Sequence, residues 1–193
     1  LRGRATRRLL FYARPEAHAA RNLFELGFLA VAQAIREGVF DPHWEFHGIG
    51  LGFAMDDMEL PGTGVKMRMV RRLDLDGYKR FVGGCDLGLS LMYSPHPSVP
   101  PYEMAAAGLA TVTNTCENKT AEVLAGICGN LVPCELSIDG IVEGLRQAAV
   151  RVEDHPGRIA GARLNWPTSW DESFNPGVMD ALFRATGLDR KQG

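Results

Sequence analysis

Short apolar runs alternate along the chain with stretches in which apolar residues recur every three or four positions. Residues 9–13 form an apolar run ended by Arg14-Pro15, and Phe24, Phe28, Val31 and Ile35 then follow helical spacing until Gly38. This pattern predicts a strand and then a helix. Residues 44–49 predict a second strand. Val65, Met67 and Met69 alternate with Lys66 and Arg68 in a third, whose wetter face places it near a sheet edge. Asp74 or Asp76 can cap a short helix carrying Tyr78, Phe81 and Val82, closed by Gly83-Gly84 ahead of a fourth strand at residues 87–92. Pro100-Pro101 opens a helix that runs through Met104 and residues 105–107 to Gly108, and residues 109–113 are rich in strand formers. Asn118 is the expected cap of the next short helix, residues 130–133 make the sixth strand, and Ser137 starts a helix striped by Ile141, Leu145, Ala148 and Val152. The remainder reads as helical, with Asn175-Pro176 opening the last clear helix.

Six strands separated by helix-sized segments, without an Asn-Gly hairpin signal, predict right-handed βαβ units. The expected fold is α/β: a Rossmann-like, doubly wound, mostly parallel six-stranded sheet with helices on both faces. Residues 51–64, with Asp56-Asp57 and Pro61-Gly62, are the one stretch that reads as a long exposed loop. No internal repeat, low-complexity tract or linker interrupts the chain, and 193 residues suit a single domain spanning 1–193.

A formal net charge of −2 gives no bulk attraction to nucleic acid or anionic lipid, so the expected partner is a small molecule bound locally. No apolar stretch approaches the roughly 20 residues of a membrane-spanning helix, and the start lacks the order of a signal peptide, which points to the cytoplasm. Cys85, Cys116, Cys128 and Cys134 show no CxxC spacing and are expected as reduced, largely buried thiols. The chain opens on Leu1 rather than Met, with Arg2, Arg4, Arg7 and Arg8 directly before an apolar run. This reads as a cut through a longer protein, the alternative being a processed initiator.

In such sheets ligands bind at the carboxyl ends of the strands where the winding reverses, between the first and fourth strands. Arg14-Pro15, His18 and Arg21 follow the first strand; the loop from Tyr93 to Glu103 follows the fourth and ends on a helix start. Free amides and the helix dipole there favour phosphate. Because Pro100 and Pro101 lack an N–H, the backbone donors are those of Ser98, Val99, Tyr102 and Glu103, with the Ser98 hydroxyl in support. A carboxylate at Glu103 would repel phosphate, but it suits the vicinal hydroxyls of a ribose. Simpler readings stand beside these: Arg14 and Arg21 as solvated groups or as partners of Glu16 or Glu25, Glu103 as a first-turn acid on its own helix, His96 as a turn residue.

The segment 94–106, a proline-rich loop entering Pro-Tyr-Glu-Met-Ala-Ala, followed by Gly108-Leu-Ala-Thr-Val-Thr-Asn114, resembles the signature of glycosyltransferase family four. Among its members the segment is most similar to bacterial rhamnosyltransferases that use thymidine-diphosphate sugars. Looser similarity runs from the end of the first strand to about Ala149, and Glu122 falls where the family often has another acid. The resemblance implies the C-terminal, donor-binding half of a two-domain GT-B fold. Glu103 takes the place of the family's ribose-binding glutamate, residues 98–102 that of its phosphate loop, and Arg14 that of its arginine after the first strand. The family's second basic group is a lysine in many members, and Arg21 is the nearest residue here. Where the family has a first glutamate, separated from the second by seven residues, this chain has Pro95, leaving Ser94 or His96 to contact the sugar.

The implied reaction transfers a glycosyl group, with retention, from a nucleoside-diphosphate sugar to a glycan acceptor hydroxyl. Arg14 and Arg21 stabilise the leaving diphosphate, and no metal or other cofactor is required. The acceptor and any general base belong to an N-terminal domain outside this chain, so the isolated domain is expected to bind donor without efficient transfer. Two rivals are weaker. Asp74-Leu75-Asp76 has the paired-aspartate form of metal-dependent (GT-A) transferases, but N-capping explains it. A non-catalytic nucleotide-binding regulatory module shares the fold class, although no GxGxxG follows the first strand.

Overall fold

Leu9, Leu10 and Phe11 are all fully buried, as a strand covered on both faces requires. The computed structural model describes residues 5–50, 52–96, 98–167 and 169–187; Leu1, Arg2, Arg4, Leu51 and Pro97 lie outside the described residues. The elements are β1 (Arg7–Tyr12), a 3-10 helix (Ala17–Asn22), α1 (Phe24–Arg36), β2 (Trp44–Ile49), β3 (Met58–Glu59), β4 (Lys66–Met69), α2 (Leu75–Val82) and β5 (Leu87–Leu89). They continue with α3 (Pro100–Ala106), β6 (Ala110–Asn114), α4 (Ala121–Ile127), β7 (Leu131–Cys134), α5 (Ile138–Arg151), α6 (His155–Gly161), α7 (Trp170–Ser173) and α8 (Pro176–Thr186).

The strands form one seven-stranded sheet in the order β3-β4-β2-β1-β5-β6-β7, parallel throughout except for the β3–β4 pair. Six strands stand where the hydrophobic pattern places them; the seventh corrects it. Residues 51–64 are not simply an exposed loop, because Met58–Glu59 pairs antiparallel with β4 and Leu60 is fully buried. Asp57 Oδ1 accepts the Met69 amide at 3.0 Å, and the Leu60 amide donates to the Val65 carbonyl at 2.8 Å, so the turn is a hairpin at the sheet edge. The wetter third strand of the pattern, β4, is therefore next to the edge, with Lys66 and Arg68 outward and Met67 and Met69 inward.

Helices cover both faces. Phe24, Phe28 and Val31 of α1 and Ile141 and Leu145 of α5 pack on Phe11, Leu87, Leu89 and Val112, each burial worth about 1.5–3 kcal/mol. On the other face Val82 of α2 and Met104 of α3 meet Leu10, Ile49 and Leu109, while α4 joins α3 through Leu124, Ile127, Tyr102 and Ala105. Gly27 lets α1 lie close: a Cβ there would stand 2.5 Å from the Phe11 ring. Caps form at Asp74, Ser137 and Asn175 as the sequence predicts, but α4 is capped by Thr120, not Asn118. Asn118 sits in a two-residue turn closed by reciprocal Cys116–Lys119 backbone bonds, which moves the helix start two residues on. Cys85, Cys128 and Cys134 are buried thiols and Cys116 is half-buried. Among the described residues no helix is long and apolar enough to cross a membrane.

Candidate functional site

With parallel strands in the order β4-β2-β1-β5-β6-β7, the winding reverses between β1 and β5. Two loops leave the sheet there, and a hydrogen bond from the Tyr93 amide to the Arg21 carbonyl, 2.8 Å, ties them together. The loop after β5 is also pinned from β6: fully buried Asn114 accepts the Met92 amide at 2.8 Å and returns a bond to its carbonyl at 3.1 Å.

A cleft of about 490 Å³ opens beside the crossover, lined by Tyr12 and Arg14 at the end of β1, Ile49, Gly50 and Gly52 at the end of β2, and Arg72, Leu73, Asp74, Leu75 and Tyr78 at the start of α2. Gly50 makes room for it. Its φ is +108°, and a Cβ would stand 2.7 Å from the Tyr12 ring and 3.1 Å from Arg14 Cδ. A cleft of similar size lined by Arg7, Asp41, His43 and Arg146 lies at the amino ends of β1 and β2, the wrong end of a doubly wound sheet, and Arg7 and Arg146 there are ion-paired to Glu153 and Glu37.

Arg14 is in the carboxyl-end cleft and is held there. Its Nε donates to both oxygens of Glu16 at 3.1 and 3.2 Å, one terminal nitrogen to the Tyr12 hydroxyl at 3.3 Å, and the other stands 3.4 Å from His18 Nε2. Burial works to raise the Glu16 carboxyl, but the Gly52 amide at 2.9 Å and Arg14 hold it below the ordinary carboxylate range. The pairing with Glu16 is thus present, and the cation keeps an edge in the cleft. Arg21 is exposed and contributes its carbonyl to the Tyr93 tether.

Glu103 projects from the first turn of α3, and its Oε2 accepts, at 2.9 Å, the hydroxyl of Tyr78, which lines the cleft. Burial first, then Glu103, push the Tyr78 phenol up, so it stays protonated and donating. The proposed phosphate amides are less open than the sequence implies. Tyr102 and Glu103 both donate to the Val99 carbonyl at 3.1 Å, and the Ser98 amide donates to His96 Nδ1 at 3.2 Å, leaving Val99 as the one of the four without a hydrogen bond among the described residues. Ser98 is buried in the left-handed region, φ 57°, which turns the chain into α3. His96 is exposed, and its amide donates to the Ser94 hydroxyl at 3.0 Å, so these two shape the loop internally. The Tyr102 ring turns away from the crevice into the core, stacked on Trp166 at 5.3 Å, where burial raises its phenol to about 12.

Asp74 serves as the α2 cap, accepting the Gly77 amide at 2.7 Å, and Glu122 lies exposed in the first turn of α4. Sequence reasoning missed Tyr12, Gly50 and Tyr78. A signal was present in Leu73 and Leu75, apolar residues flanking a helix cap that stay 37% and 67% exposed on the cleft rim.

Residues 7–146 match the family model described as WsaF, C-terminal domain. The chain belongs to that family. Over 166 residues, 85% of the chain, it is 32% identical to the O-antigen biosynthesis protein RfbC of Myxococcus xanthus, but it spans only 12% of that protein. The fold of this WsaF C-terminal family member is also that of larger solved structures. An α,α-trehalose-phosphate synthase (UDP-forming) from Burkholderia vietnamiensis matches at TM-score 0.64 and 12% identity, covering 96% of this chain and 46% of the synthase. WaaG, a glycosyltransferase involved in lipopolysaccharide biosynthesis, matches at 0.54 and 18% identity, covering 82% of this chain and 41% of WaaG. A UDP-N-acetylglucosamine 2-epimerase from Listeria monocytogenes, 0.51 and 14% identical over 97% of this chain and 47% of the epimerase, shares the fold too, so fold alone does not choose the chemistry.

Proposed function

We propose that the chain is the donor-binding, C-terminal half of a GT-B glycosyltransferase. It holds a nucleoside-diphosphate sugar, thymidine-diphosphate rhamnose, whose glycosyl group passes with retention to an acceptor hydroxyl in bacterial glycan synthesis in the cytoplasm. The observation that carries this reading is the hydrogen bond of Glu103 to Tyr78, a residue that lines a carboxyl-end cleft together with Arg14. Membership of the WsaF C-terminal family and the relationship to an O-antigen biosynthesis protein support it.

In this reading the nucleoside lies in the cleft with a sugar hydroxyl on Glu103 and the base against the apolar rim of Leu73 and Leu75. As the glycosidic bond breaks, the bonding pair goes to the diphosphate oxygen. Arg14 and the Val99 amide stabilise that charge, more in the transition state than before it, with Arg21 approaching from the neighbouring loop. Ser94, His96 and Ser98 flank the sugar where Pro95 removes the usual carboxylate. A guanidinium supplies the positive charge, so added manganese leaves donor affinity unchanged. The chain spans less than half the length of the solved structures above, and the acceptor and its base come from a second α/β half; alone, the chain binds donor and turns over poorly.

Calorimetric titration tests this with thymidine diphosphate and its rhamnose conjugate against uridine, guanosine and adenosine counterparts. The thymidine ligands bind tightest. Tight binding of another base with none of thymidine would remove the donor assignment, and silence from all four would remove the nucleotide site.

A further inference from the structure

We propose that Tyr78 is a specificity-determining residue of the donor site: by occupying Oε2 of Glu103 it selects a nucleotide whose sugar offers a single hydroxyl, a 2′-deoxyribose, over one that offers a vicinal pair. This rests on the donor-site reading above and adds a residue to it.

A carboxylate facing a vicinal diol accepts one hydroxyl on each oxygen. Here one oxygen is already engaged. The Tyr78 ring is fixed from below, packed against the cluster of Leu10, Ile49, Val82, Cys85, Met104 and Leu109. Its helix is set by the Asp74 cap, so swinging the hydroxyl away would lift the ring off that cluster. That hydroxyl reaches Oε2 at 2.9 Å, leaving Oε1 to the ligand. A 3′-hydroxyl alone is satisfied by Oε1. A 2′-hydroxyl must share Oε2 with the phenol, on the side of that oxygen left open by the fixed Tyr78 hydroxyl, or expel a half-buried phenol from its acceptor, and in either case the ribonucleotide makes a poorer second bond to the carboxylate. Burial keeps the phenol protonated, so the block persists across the physiological pH range.

The test compares two ligands that differ only at the 2′ position, thymidine 5′-diphosphate and 5-methyluridine 5′-diphosphate, by isothermal titration of the wild-type chain, Tyr78→Phe, Glu103→Gln and the double variant. The wild type is expected to prefer the deoxy ligand by about tenfold, the scale of one hydrogen bond to a charged group. Tyr78→Phe keeps the buried ring and abolishes the preference, chiefly by strengthening the ribo ligand. On the Glu103→Gln background it leaves the ratio unchanged. A purely structural Tyr78 would weaken both ligands alike in either background. Equal affinities in the wild type, or an unaltered ratio in Tyr78→Phe, overturn the selectivity while a weakened Glu103→Gln keeps the donor site. Absence of binding by both ligands overturns the two together.

Discussion

The two sides of the crossover between β1 and β5 use polar side chains differently. Toward β2 and α2, Arg14, Glu16 and Tyr78 are half-buried and Glu103 is exposed, and Arg14 and Tyr78, which the two acids bond, line an open cleft. Toward β6 and β7, Thr113, Asn114 and Lys119 are at most 3% exposed, locked within the fold. A polar group left partly wet can exchange water for ligand at small cost, whereas one sealed in the interior influences stability first. Substitutions on the first side should therefore move affinity, and those on the second should move the melting temperature.

The sharpest break on the sealed side is Asn114→Ala. It strips the Met92 amide and carbonyl of their partners in a dry setting and is expected to cost about 3 kcal/mol of stability, read by urea or thermal unfolding. A loss below about 0.5 kcal/mol, the level of an ordinary surface change, would mean that the loop is held by other means.

Lys119 runs the other way. Its Nζ is buried without a hydrogen-bond partner among the described residues, and burial depresses its pKa against the opposing pull of Cys116 and Cys134. Lys119→Met should raise stability by about 1–2 kcal/mol. The unfolded chain binds more protons than the folded one up to the ordinary lysine value of 10.5, so the wild type gains stability as pH rises toward it. The advantage of the variant must shrink over that range in melts taken at pH 7 and above; a constant gap would place the ammonium in water.

On the open side, Glu103→Gln should weaken thymidine diphosphate about tenfold, ~1.4 kcal/mol, while the melting temperature barely moves. A lowered melting point with intact affinity would make Glu103 only a first-turn acid of α3.

The smallest effect concerns His47, buried on β2 with Phe81 edge-on at 5.4 Å and Glu45 at 3.4 Å. Burial pulls its pKa below 6.5; Glu45 opposes, and Arg8 and Arg68 add to the lowering. Below pH 6.5 the unfolded chain takes up a proton that the folded one resists, so stability falls. Carboxylates join near their ordinary 4.5, which leaves the interval between as the histidine's own. His47→Gln should flatten the wild-type decline there, with nucleotide affinity unaffected.

The central parallel strands were legible because a strand covered on both faces has to be apolar at nearly every position, as residues 9–11 and 87–89 are. The two-residue β3 had no such signal: Met58–Glu59 lies among acids, glycines and a proline, and only its partner β4 makes it a strand. At the candidate site, Arg14 and Glu103 could be proposed from the sequence because the segments that carry them follow β1 and β5 at the crossover. Tyr78 could not, since its value lies in a contact 25 residues away in the chain and its spacing fits a core stripe equally well. The amides of Tyr102 and Glu103 were misjudged for a related reason: two prolines at a helix start do not reveal that the Val99 carbonyl takes up the next two N–H groups.

The hydrogen bond from Tyr93 to the Arg21 carbonyl makes the segments after β1 and β5 mechanically one piece. Lengthening either segment between its strand and that tie would drag the other out of place, so insertions in homologous sequences are expected outside the tied spans 13–21 and 90–93. In hydrogen exchange, the Tyr93 amide should report any disturbance of the arginine loop, although no side chain of that loop touches it through this bond.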